Sequence, residues 1–138
     1  MNTVLIYPMA AMVFLTFIVG VILFVSRVQG VRLGKVRLRY FKNMSGDSTP
    51  TDLMIDASRH FSNLFEVPVL FYAAAIVAMI LPVTGIGIQI SAWLFVVARL
   101  LHACVHIGPN KLRPRVGAFF LGFVAVLTMW IQIVIRIS

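Results

Sequence analysis

The chain has 138 residues, 61% of them hydrophobic, and 12 Lys and Arg against 4 Asp and Glu give it a net charge of +8. A soluble domain of this size has no interior large enough for so much apolar surface, and a mean hydropathy of +1.01 leaves no water-facing groove in which the charge could bind nucleic acid. Four helices of about 20 apolar residues each would cross a bilayer and use up the inventory, while the single cysteine, Cys104, excludes an internal disulfide or a cysteine-based metal centre.

Residues 3–26 carry no charged side chain and as a helix reach about 36 Å, enough for a tilted first span. The run lacks a basic flank and is about twice the length of a signal-peptide core, which argues against cleavage. A basic loop follows over 27–58, with Arg27, Arg32, Lys35, Arg37, Arg39 and Lys42 before a polar stretch from Asn43 to Pro50. The charge-free run from Val67 to Ala98 would extend about 48 Å as one helix, too far for a hydrocarbon core of about 30 Å. The Pro82 to Gly87 cluster divides it, giving a second span over 59–81 and a third over 88–107. A second basic loop, 108–115, holds Lys111, Arg113 and Arg115, and residues 116–135 form the fourth span. Positive charge collects on the cytosolic side, so both basic loops are expected there and both termini opposite. The expected fold is a single all-α, integral membrane four-helix bundle over residues 1–138, multi-pass, in the inner (plasma) membrane if the source is bacterial.

The informative residues are the polar ones inside spans. Arg59, Asn63 and Glu66 are spaced i, i+4, i+7, which puts them on one face of a continuous helix, and Arg99, His102 and His106 form a similar stripe on the third span. A lone charge near the bilayer centre costs on the order of 3 kcal/mol, so an Arg99–Glu66 ion pair inside the bundle is expected. Arg115 lies on the same side, close to this layer. Arg59 and Arg115 could equally snorkel to phosphates. The two histidines on the third span have a spacing that chelates zinc, but a third ligand would have to come from Glu66 or His60, and no metal is expected.

Arg59-x-x-x-Asn63-x-x-Glu66-x-Pro68 in the second span, Ala98-Arg99-x-x-His102 in the third and Pro114-Arg115 ahead of the fourth resemble the MAPEG family, membrane-associated proteins of eicosanoid and glutathione metabolism. The resemblance extends from Val36-Arg37-Leu38-Arg39 to the fourth span. It implies a homotrimer, with glutathione as cosubstrate in a cytosol-facing site between subunits. Arg59, Asn63, Glu66, Arg99, His102 and His106 would contact glutathione, with Arg37 or Arg39 as a further basic contact, and Arg115 would stabilise the thiolate as the catalytic residue. Several arginines with one glutamate complement a ligand that brings two carboxylates and an ammonium, and a guanidinium favours thiolate over thiol. The implied activity is a transferase or peroxidase acting on a lipophilic molecule from the bilayer, with lipids and sister subunits as the other partners and no nucleic acid. The sequence departs from the family in having His106 where active members often carry tyrosine, and in placing Pro68 two residues after Glu66 rather than three. A non-catalytic scaffold or ligand-binding protein of the same fold is the alternative, and a small proton-coupled exporter using Glu66 is a third reading.

Overall fold

A computed structural model describes residues 3–44, 48–81, 83 and 85–138, so Ser45 to Asp47 of the first polar turn and Pro82 and Thr84 of the second lie outside the described residues. The helices are α1 (Ile6–Arg32), α2 (Tyr40–Asn43), α3 (Asp52–Asn63), α4 (Val67–Ile80), α5 (Ile86–Ile107) and α6 (Leu112–Ile137). Four segments, with α3 and α4 counted together, are long and apolar enough to cross a membrane.

The first span is longer than its charge-free run. Pro8 sits in the first turn of α1, where its missing N–H costs nothing. The helix continues through Arg27 to Arg32 and stops at Gly34, whose φ of 69° is the left-handed conformation that glycine adopts without strain. Gly34 N–H donates to the Val31 carbonyl and Lys35 N–H to that of Gly30, both at 3.0 Å, the paired bonds of a Schellman ending. The helix therefore ends where this cap forms, and the first connection is shortened to 33–51. Pro8, Met12, Leu15, Val19, Leu23, Ser26 and Gly30 form the buried stripe of α1, while Phe14 and Phe17, 69% and 70% exposed, lie on the face turned away from the bundle.

The expected second span also starts earlier, at Asp52, because Thr51 caps α3 by accepting from Met54 N–H at 3.3 Å. It is then broken. Pro68 occupies the first turn of α4; in an unbroken helix its ring would meet the Leu64 carbonyl and its absent N–H would leave that carbonyl unbonded. The chain leaves helical geometry at Glu66, with φ −99° and ψ −95°. Arg59, Asn63 and Glu66 thus do not share one helical face: Arg59 and Glu66 are exposed and Asn63 is half-buried.

α5 and α6 pack most extensively, with α4 and α1 on their flanks. Gly122 lies at the α5–α6 contact, where a Cβ would sit at ordinary van der Waals distance, 3.5 Å from Arg99 Cδ and 3.6 Å from the Ala98 Cβ. Below that level Phe71 of α4 stacks on Phe95 of α5, with ring centroids 4.5 Å apart. Towards the far end Gln132 donates to Ser91 Oγ at 3.0 Å, a polar link between α6 and α5.

Candidate functional site

The site is built where α3 ends beside α5. The last carbonyls of a helix lack intrahelical donors. In a continuous span the Asn63 carbonyl would be taken by the Val67 N–H; because the span breaks, it accepts instead from Arg99 Nη2 at 2.8 Å. The expected Arg99–Glu66 ion pair does not form among the described residues. A helix C-terminus, which carries partial negative charge, holds the guanidinium in place of the carboxylate, and Glu66 is exposed beyond the break.

Arg99 is 0% exposed, about 12 Å along α5 from its end at Ile107. Its guanidinium carbon lies 5.8 Å from the centroid of Phe119, a cation–π contact from α6. Nε and Nη1 are buried without a hydrogen-bond acceptor among the described residues. An unmet guanidinium donor in a low-dielectric interior costs on the order of 1–3 kcal/mol, and ionisable residues inside spans commonly mark functional sites.

A turn further along α5, His102 and His106 are buried with His60 of α3. These are all three histidines of the chain. The His60 ring lies 5.2 Å from His102 and 5.3 Å from His106, and His102 and His106 are 5.3 Å apart. His102 Nδ1 is 3.0 Å from the Arg115 carbonyl oxygen. A carbonyl only accepts, so Nδ1 carries the proton and Nε2 presents the lone pair of the neutral ring.

Arg115, half-buried, donates from Nη1 to Asn110 Oδ1 at 2.6 Å, and Asn110 Nδ2 donates to Asp56 Oδ2 at 3.0 Å. This relay joins α6, the 108–111 turn and α3. Asn110 adopts φ 46°, a left-handed conformation that asparagine tolerates. A cleft of about 440 Å³ opens beside the relay, lined by Asp52, Asp56, Arg59, Gly108 and Asn110 among others. Arg59 also borders a smaller cleft, about 230 Å³, with Arg27 and Tyr40.

The structure therefore gathers Asn63, Arg99, His102, His106 and Arg115 around the α3–α5–α6 junction. Arg59 stands at its rim and Glu66 at the break. Arg37 and Arg39 stay exposed in the first connection, where Arg37 N–H approaches Ser48 Oγ at 3.4 Å. Asp56, Asn110 and Phe119 have roles that the sequence reading did not assign. His60 entered it only as an optional ligand, although its being the one histidine outside the third span was a usable signal. Membrane-facing space is ample: an apolar groove of about 730 Å³ runs between α1 and the broken span, lined by residues including Phe17, Gly20, Phe61, Phe65 and Tyr72.

Comparison with curated proteins and with solved structures gave no match. The model of the MAPEG family matches residues 5–135, nearly the whole chain and every element of the junction. With four apolar spans in a match of that extent, the chain is a multi-pass integral membrane protein and belongs to the MAPEG family.

Proposed function

We propose that the protein is a membrane-bound, glutathione-dependent transferase or peroxidase that works as a homotrimer. Glutathione would occupy a cytosol-facing site between subunits, and the second, lipophilic substrate would enter from the bilayer. The observation that carries this reading is Arg99: a fully buried guanidinium with two nitrogens left unpartnered calls for an anionic ligand, and glutathione supplies two carboxylates. Arg59 and Glu66, exposed on the single chain, support a site completed by a neighbour, because an ionisable group within a span faces a protein interior or a cavity rather than lipid. The basic residues of the 33–51 connection, with Lys111 of the 108–111 turn and Arg113 and Arg115 in the first turn of α6, support placing this end in the cytosol and both termini opposite.

Arg115 is the residue to stabilise the thiolate. Its Asn110–Asp56 relay holds the guanidinium in place without neutralising it by direct ion pairing. The thiolate sulfur would attack an electrophilic carbon or a peroxide oxygen, forming the new bond as the leaving group departs with the bonding pair.

Glutathione added to the purified protein is expected to produce the ultraviolet absorption of a thiolate, and Arg115→Ala to abolish it while reducing glutathione affinity less than turnover. Bound glutathione that stays a thiol would exclude the Arg115 role and favour a ligand-binding protein of the same fold. That second reading draws on the commitment of His102 and His106 to a buried cluster away from solvent.

A further inference from the structure

We propose that His60, His102 and His106 form a binding site for a divalent transition metal of the zinc type, with an exogenous fourth ligand. This departs from the expectation that the chain holds no metal, and moves His102 and His106 out of the glutathione contacts. One ring nitrogen from each histidine can be chosen so that all three lie within 4.8 Å of one another. Around tetrahedral zinc, with Zn–N near 2.05 Å, ligand nitrogens are about 3.4 Å apart. The difference is within reach of rotation about the soft χ2 angles of the rings.

The buried nitrogens are already short of partners. Both of His60, Nε2 of His102 and Nδ1 of His106 have none among the described residues. The rings do not satisfy each other: His60 and His102 are stacked 28° from parallel, which presents π faces where in-plane N–H and lone pairs would have to meet. His102 is moreover prepared as a ligand. With Nδ1–H held by the Arg115 carbonyl, its unprotonated Nε2 is the free one, the arrangement in which metal-ligating histidines are fixed by an outer carbonyl.

The surroundings set the selectivity. Asp56 is engaged by Asn110 and Glu66 lies exposed at the break, so among the described residues the converging donors are imidazoles alone. Imidazole suits zinc, copper, nickel and cobalt, whereas magnesium and calcium require oxygen donors. Arg99 and Arg115 repel a cation, but Arg99 is turned onto the Asn63 carbonyl and Phe119. An anionic fourth ligand, hydroxide or thiolate, would reduce the remaining repulsion.

The test is cobalt titration of the full-length, tag-free protein in detergent without glutathione, so that its outcome is independent of the thiolate reading. The wild type is expected to bind about one Co2+ per chain with the intense visible absorption of a tetrahedral site, displaced by Zn2+ and unaffected by Mg2+. His60→Gln and His106→Gln should each lose that absorption while retaining their helical circular dichroism. Absence of the absorption in the wild type, or its survival in both variants, would overturn the proposal. Should a variant fail to fold, zinc-edge X-ray absorption of the loaded wild type decides: imidazole scattering supports the site, and an oxygen-only shell refutes it.

Discussion

Arg99 is held by one backbone carbonyl and one aromatic ring, so its charge is compensated only in part. A buried charge without a counter-ion carries a desolvation cost that an apolar side chain of similar volume does not. Arg99→Met is therefore expected to melt at the same temperature as the wild type or higher, and to lose the stabilisation by glutathione that the proposed function predicts for the wild type. Thermal unfolding in detergent with and without glutathione measures both effects. A variant that is strongly destabilised, or that still responds fully to glutathione, would contradict the assignment of Arg99 to the ligand. Arg115 differs in kind: its polar partner is an asparagine side chain, and a group so held can meet a sulfur without first giving up an ion pair.

At the scale of elements, the break between α3 and α4 sets the site, and Pro68 causes the break. Pro68→Ala would restore the missing N–H and allow the helix to run through. The Asn63 carbonyl would then be taken by the Val67 N–H, and Arg99 would lose its only hydrogen-bond acceptor in the described structure. Slower amide exchange at Val67 together with weaker glutathione binding is the expected result; unchanged exchange would mean that the break has another cause. The same break marks the limit of what the sequence disclosed. Charge-free runs revealed the four spans, because bilayer thickness constrains composition directly. Pro68 was visible too, well inside the expected 59–81 span, but transmembrane helices tolerate proline, so its presence alone does not show that the helix stops there. The Schellman ending at Gly34 was hidden in the same way, by arginines that suggested a loop.

Across the whole molecule, the sequence offered His60 only as one of two optional partners for His102 and His106; that it is the one to converge depends on which faces of α3 and α5 meet, a matter of tertiary packing rather than periodicity. Orientation, by contrast, is proposed from where the basic residues sit. In a Cys104→Ser background, a cysteine introduced at Lys111 is expected to be shielded from an impermeant maleimide in intact cells, and one at Ser138 to be labelled. The reverse pattern would invert the topology and place the Arg115 relay on the outer face. A native mass spectrum showing three chains would support the intersubunit site, and a stable monomer that binds glutathione would rule it out.

The hold of Asn63 on Arg99 bears finally on the order of biosynthesis. The third span carries a charge and two imidazoles that lipid alone accommodates poorly, and it leaves the ribosome after the broken span has been made. The carbonyl that receives its guanidinium is thus already made when α5 arrives, and the earlier helix is expected to aid insertion of the later one. A chain beginning at Val83 is expected to insert α5 less completely than the full chain in a glycosylation-mapping assay, and Arg99→Leu to remove most of the difference. Equal insertion of the two chains would show that α5 needs no earlier partner.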